Sequence, residues 1–278
     1  MLSEQEFIIW CKRNNVSEKA KAMIEKIRLS EPVRSVSSGG KNVPGNYPSK
    51  KMGVSIQFES HTVEFPGIYM MEHDSNVLEY YDQPNSIKIN YSGSKKKNIG
   101  VIYTPDFFVI RKESAAWEEW KTESELIVLS AKNPNRYKKD KNGIWRCPPG
   151  EEYAAQFGLE FHVRSSSEIN RTLERNISFL EDYMFDADRE VSIQKIEEIE
   201  KLISKQPGIS LLDLINKGQE FQADDLYTLF IQSRIYIDIN KYSIAEYDRV
   251  PVFLTKEQSM AFEILLNDKK NQYMLFLT

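Results

Sequence analysis

The run GVIYTPDFFVI, residues 100–110, interrupts an apolar strand pattern with a proline and a carboxylate, and thirteen residues after Asp106 stands Glu119, in AWEEWK. No other feature of the chain narrows its fold as much. Both runs have strand character, and only a short link joins them, so they are expected to pair as neighbours in a sheet. Strand side chains alternate between faces, which points Glu119 and Lys121 the same way. An aspartate on the adjoining strand then brings two carboxylates and an ammonium to one spot. Burying Asp106 in TPDFFVI without a partner would be costly. Two carboxylates can hold a hard divalent ion with water completing its shell. Such an ion polarises a phosphoryl oxygen and lowers the pKa of a bound water. A lysine beside it can orient that water or offset charge developing on the phosphate. The outline is that of a metal-dependent phosphodiesterase; the competing reading is two salt-bridged surface strands.

The rest of the chain supplies the frame. Residues 3–28 read as a helical packing arm, with Phe7, Ile8, Trp10, Cys11, Ala20, Met23, Ile24 and Ile27 near helical spacing and Ser3 and Ser17 as N-caps. Residues 30–50 are rich in Gly, Pro, Ser and Asn and are expected to form no regular element. They read as a linker or, through Arg34, Lys41, Lys50 and Lys51, as a basic loop tracking a phosphate backbone. A strand at Val54–Phe58 precedes a helix over 62–73 with Thr62 as its cap, and Pro66 has to fall in the first turn. Strands follow at 77–81 and 87–91, then the lysine turn Lys95-Lys96-Lys97, then the two central runs. Helix is expected at 124–132, near 151–159 and, capped by Ser167, at 167–185, with a strand at 160–165. Residues 190–253 read as three helices and two strands, 235–239 and 249–253, a winged-helix pattern, with one more helix in the tail. The apolar ending NQYMLFLT reads as a surface to be covered or as an interrupted chain. The domains are placed at 1–50 (arm and loop), 51–187 (catalytic) and 188–278 (winged helix with tail helix). The fold class is α/β (α+β).

Composition sets limits. Among 278 residues, Lys+Arg 37 against Asp+Glu 41 leaves a formal charge of −4, so contact with nucleic acid has to come from a local patch. That patch is the loop after 132: Lys132, Arg136, Lys138, Lys139, Lys141 and Arg146, opposed only by Asp140, with Tyr137 and Trp145 interleaved as stacking partners. Cys11 and Cys147 make no disulfide framework, and the three histidines, His61, His73 and His162, are scattered and read as structural. Gly39-Gly40 is no nucleotide-binding loop. No apolar run reaches membrane length and no secretory signal opens the chain, so a cytoplasmic protein is expected.

Several segments together carry a closer resemblance: NVPGNYPSKKMGVSIQFES, EFPGIYMMEHDSNVLEYYDQP with its Asp-Gln-Pro, YTPDFFVI, AWEEWKTESEL and FHVRSSSEINRTLERNISFLEDY. Residues 34–185 resemble the N-terminal catalytic domain of TnsA, the endonuclease subunit of heteromeric bacterial cut-and-paste transposases. The resemblance implies a restriction-endonuclease-like mixed sheet flanked by helices, of the PD-(D/E)xK superfamily. It implies cleavage of the non-transferred strand, at the 5′ ends of the element, with Mg²⁺ as cofactor and Mn²⁺ able to replace it. Its partners would be transposon-end double-stranded DNA, a DDE-type transposase and an AAA+ ATPase regulator, at the bacterial nucleoid and not at a membrane.

The family's catalytic glutamate falls on Glu64, its aspartate on Asp106 and its lysine on Lys121; two positions before the lysine some members have glutamine where this chain has Glu119. The implied metal ligands are Asp106, Glu119 and Glu64, with Lys121 assisting the attacking water. Pro66 and Gly67 depart from the family pattern, and Glu59, then Glu72, are alternatives to Glu64. The implied DNA contacts are Lys41, Lys50, Lys51, Lys132, Arg136, Lys138, Lys139 and Lys141. In the C-terminal part, Asp224 and Asp225 open the third helix and would repel phosphate, which favours a protein-binding role. Two rivals stay open: a restriction or phage-defence nuclease of the same fold, and an inactive scaffold joining DNA to an ATPase.

Overall fold

The computed structural model describes residues 1–34, 43–93, 98–186 and 188–275, with side chains through residue 266. Lys41, Gly39-Gly40, the Lys95–Lys97 run and the side chains of the apolar ending lie outside the described residues. The chain divides into two compact units, Met1–Ile169 and Asn170–Thr278.

The first unit opens with two helices, α1 (Glu4–Arg13) and α2 (Glu18–Arg28), where the periodicity alone reads as one helical stretch. The break has a local cause. Asn15 turns into the left-handed region at φ 51°, and Ser17 then caps α2 through the Ala20 amide. Phe7, Trp10, Cys11, Ala20, Ile24 and Ile27 enter the same core as the sheet residues Phe108, Ile110 and Trp117, so the arm is part of the unit's interior.

A hairpin follows, β1 (Gly45–Ser49) against β2 (Val54–Phe58). This corrects the expectation that residues 30–50 form no regular element. Strand pairing is a long-range gain that outweighs the local composition, and Pro48 is tolerated in a strand paired on one side. Next come α3 (Glu64–His73), β3 (Val77–Asp82), β4 (Ile87–Ser92), β5 (Asn98–Tyr103), β6 (Phe107–Arg111), β7 (Ala115–Lys121) and α4 (Glu123–Lys132). The short pair β8 (Lys138–Lys139) and β9 (Trp145–Arg146), α5 (Pro148–Ala155) and β10 (Glu160–Ser165) complete the order. The main sheet runs β10-β7-β6-β3, with β10 parallel to β7 and the other pairs antiparallel. This mixed sheet with helices against it is a restriction-endonuclease-like arrangement. Six of the seven residues of β7 are buried, because the strand is covered on both faces.

Helix α3 begins at Glu64 with Val63 as its cap, two residues later than the sequence suggests. Proline decides this start. Counted from Val63, Pro66 is the third helical residue, where no intrahelical partner exists for an amide hydrogen. Gly67 lets the helix approach the sheet: a Cβ there would lie 3.0 Å from the Trp120 ring. Gly67→Val is therefore expected to push α3 off the sheet and to cost about 1–3 kcal/mol, read by urea unfolding.

The second unit begins with α6 (Arg171–Phe185), capped by Asn170 and not by Ser167, which lies in a short 3₁₀ turn of the first unit. Asn176, buried in α6, donates to the carbonyls of Ile239 and Tyr242 and accepts from the Ile244 amide. Then come α7 (Ile193–Lys205), β11 (Ile209–Ser210), α8 (Leu211–Lys217), α9 (Ala223–Ile231), β12 (Pro251–Val252) and α10 (Lys256–Leu275). The strands expected at 235–239 and 249–253 are shorter than that. β12 pairs antiparallel with β11, and Tyr236 bridges to Phe253. No helix among the described residues is long and apolar enough to cross a membrane.

Candidate active site

The register of β6 on β7 pairs Phe107 with Glu118, so Asp106 stands at the mouth of β6 beside the end of β7. The Trp120 amide donates to Asp106 Oδ2 at 2.7 Å. Lys121 Nζ lies 3.1 Å from Glu119 Oε1, the one-face arrangement that a two-residue strand spacing requires. Asp106 and Lys121 are half-buried and open to solvent, while Glu119 is buried. Burial works against the Lys121 ammonium, but Glu119 and Asp106 outweigh it and hold its pKa above the ordinary value.

Glu64 sits in the first turn of α3 and is only 6% exposed, so it is not a solvated helix-end carboxylate. It accepts the Glu59 amide at 2.8 Å. Burial, then the charge of Asp106, push its pKa up to about 8. Burial also pushes Asp106 up to about 6, with Lys121 opposing and Glu119 adding to the rise. Glu64, Asp106, Glu119 and Lys121 thus form one electrostatic group with more carboxylates than cations.

The alternatives to Glu64 are otherwise engaged. Glu72 accepts from Ser49 Oγ, the Lys51 amide and Tyr80 Oη, and Glu59 pairs with Arg34 at 3.0 Å. None of the histidines joins the group in a described contact: His61 packs on Phe58 and Phe65, His73 on Tyr69, and His162 meets Glu160.

The donor chemistry suits a hard divalent ion. The carboxylates crowd negative charge that one lysine does not balance; burial raises the Glu64 and Asp106 pKa values, and the neighbouring carboxylates add to the rise. Among the described residues, no three His, Cys, Asp or Glu side chains form a ready-made cage. Glu119 is already partly engaged. Tyr137 Oη, with one proton to give, lies 2.8 and 3.1 Å from its two oxygens, and Lys121 takes a further position, so two of roughly four acceptor sites are in use.

Tyr137 was missed by sequence reasoning, which set it among lysines as a stacking surface. It is 2% exposed, and Trp145 is buried too, with its Nε1 donating to Glu123. Neither ring is available to bases. Lys139 pairs with Glu123, Arg146 with Glu151, and the half-buried Arg136 guanidinium lies over the Tyr103 and Tyr137 rings. Lys132, Lys138 and Lys141 are exposed and make no ion pair among the described residues. Lys50 is exposed as well. Lys51 corrects the expectation of a phosphate contact: its ammonium caps the end of α3, donating to the carbonyls of Met71, Asp74 and Val77. In the second unit Asp225 pairs with Lys195, and Asp224 accepts from Tyr183.

Beside the group, Glu118 points to the other face of β7, fully buried, between Arg111 at 2.6 Å and Arg164 at 3.2 Å. Burial opposes its charge, and the two guanidiniums more than compensate, lowering its pKa. Trp120 Nε1 adds a third donor at 3.1 Å.

No curated protein matches the chain. The family model for the TnsA-like endonuclease N-terminal domain matches residues 74–166, a span that contains Asp106, Glu119 and Lys121 and begins after Glu64. Over those residues, which carry the mixed sheet and the β6–β7 pair beside which the three side chains stand, the chain is similar to the N-terminal domain of TnsA-like endonucleases.

Proposed function

We propose that the chain is a divalent-metal-dependent DNA endonuclease that cuts the non-transferred strand at transposon ends. The observation that carries this reading is the placement of Asp106 at the start of β6 beside Glu119 and Lys121 on β7, within the span similar to a TnsA-like domain, with Glu64 in the same electrostatic group. Asp106, Glu64 and Glu119 would hold Mg²⁺, with Mn²⁺ as a substitute. The bound ion would polarise the phosphoryl oxygen and lower the pKa of a water. Lys121, kept protonated by its two carboxylate neighbours, orients that water and offsets charge on the phosphate. Tyr137 and Lys121 together fix the rotamer of Glu119. Lys132, Lys138 and Lys141 supply the phosphate-backbone contacts, a term that salt weakens.

We place the second unit as a winged helix. The order α7-β11-α8-α9, with β11 paired to β12 and Tyr236 bridged to Phe253, supports this. Its acidic third helix suits a protein partner, for which the family offers an AAA+ ATPase regulator, beside a DDE-type transposase acting on the other strand.

The test combines the purified chain with transposon-end DNA, Mg²⁺, the DDE transposase and the ATPase, and then omits each in turn. Nicking that needs Mg²⁺ and the transposase supports the proposal. Nicking by the chain alone favours a defence-type nuclease. No nicking while the transposase still cuts its own strand overturns the enzyme reading in favour of a scaffold.

A further inference from the structure

The Asp82-Gln83-Pro84 motif stands out in the sequence and is not used by the chemistry above. Gln83 is 1% exposed, yet its backbone is left-handed at φ 43°, a conformation rare for residues other than glycine. Its amide, its carbonyl and its side-chain oxygen are each committed. Its amide donates to the Asp106 carbonyl at 2.9 Å, and its carbonyl accepts from the Val33 amide at 3.0 Å. Its side-chain Oε1 accepts from Arg34 Nε at 2.6 Å. The same guanidinium reaches Glu59 Oε1 through Nη2 at 3.0 Å. The Glu59 amide in turn holds Glu64 Oε2 at 2.8 Å. Asp82 pins the strand leading to Glu59, accepting from the Gln57 amide at 3.1 Å and from Gln57 Nε2 at 3.3 Å.

These bonds form one continuous strut from the backbone of Asp106 to the carboxylate of Glu64. It is assembled from four segments that are remote in sequence, and its middle member is a planar group with two donors in fixed relation. A lysine at position 34 could not make both contacts in that geometry. We propose that Arg34 and Gln83 are positioning residues that set the separation of the Asp106 and Glu64 carboxylates, and so the ion affinity of the site. This inference rests on the reading of those carboxylates as ligands of Mg²⁺.

The experiment is a calorimetric Mg²⁺ titration of the full chain without DNA. Wild type is compared with Arg34→Ala, Gln83→Asn, the double variant and Asp106→Asn. Asparagine tolerates the left-handed backbone and keeps the amide bond to Asp106, but its side chain is one methylene too short for Arg34. Each single variant is expected to weaken Mg²⁺ binding about tenfold or more, the usual scale for groups that orient a ligand. The double variant should be no weaker than the stronger single one, since both break the same strut. Arg34 is half exposed, so its variant should melt close to wild type. If Arg34→Ala loses its fold, Gln83→Asn decides the question alone. Wild-type Mg²⁺ affinity in the folded variants overturns the strut while leaving the metal site intact. No Mg²⁺ uptake by wild type, or uptake that survives in Asp106→Asn, overturns the ligand reading itself, and the inference with it.

Discussion

Asp106→Asn is expected to leave the chain folded and to reduce strand cleavage by on the order of 10³, equivalent to about 4 kcal/mol of transition-state stabilisation. Asparagine has the same shape and keeps an acceptor for the Trp120 amide. What it removes is a charge that the folded protein tolerates poorly. Burial raises the Asp106 pKa to about 6, well above an ordinary aspartate near 3.9. The sign follows from linkage: a carboxylate whose folded pKa is raised binds more protons folded than unfolded. Its contribution to stability therefore falls as pH rises through the window between those values, and the loss is complete above the folded pKa. At pH 7.5 the amide variant, which has no such charge, should melt at or above the wild-type temperature in the absence of metal. End-labelled DNA and thermal melting, measured together, check both halves. Lost cleavage with lost fold would assign Asp106 a structural role instead.

Glu118→Ala is expected to be the most destabilising single change, at about 3–5 kcal/mol, because it strips the partner from buried charge. Arg111 and Arg164 both lean on this one carboxylate, and Trp120 donates to it. Arg111 Nη1 and Arg164 Nε already have no hydrogen-bond partner among the described residues, and while Arg164 keeps Glu168 at 3.1 Å, Arg111 has no second carboxylate among the described ion pairs. For a chain of this size each kcal/mol shifts the melting temperature by roughly 2–4 °C. A drop of about 10 °C is anticipated. Here the sign is opposite to that of Asp106. The Glu118 pKa is lowered in the fold, so its stabilisation is present above the unfolded carboxylate pKa and is lost as pH falls through the folded one. The gap between wild type and variant should narrow in acid. A cost below about 1 kcal/mol at pH 7 would mean that the guanidiniums find other partners.

Local sequence rules reach only part of this site. Asp106, Glu119 and Lys121 were legible because strand periodicity is strict and the intervening turn is short; local rules alone bring the three together. Glu64 was singled out through resemblance alone, and Pro66 explains where its helix starts. Tyr137 was not legible. Its neighbours are lysines, and only the long-range packing of the 133–147 loop onto β7 turns its hydroxyl toward Glu119. Gln83 and Arg34 were visible as part of a motif and of a basic loop, but the bonds between them join segments with no local relation. Strand β1 was hidden for the same reason: its glycine and proline argue locally for a loop, and its pairing with β2 lies outside any local window. Lys51 looked like a phosphate contact because charge is visible in sequence and the three carbonyls it caps are not.

A divalent ion among Glu64, Asp106 and Glu119 is tested most directly by the melting temperature against Mg²⁺ concentration at several pH values. Glu64 and Asp106 have pKa values raised to about 8 and about 6. Without metal, their contribution to stability declines as pH rises from about 4 toward 8. An ion that binds the ionised carboxylates opposes that decline. At a hundredfold excess over its dissociation constant it adds about 2.7 kcal/mol, roughly 5–10 °C. The predicted result is a Mg²⁺-dependent rise that is small at pH 5.5, large at pH 8 and absent in Asp106→Asn. A rise of equal size at both pH values, or one that persists in Asp106→Asn, would contradict a metal site at these carboxylates.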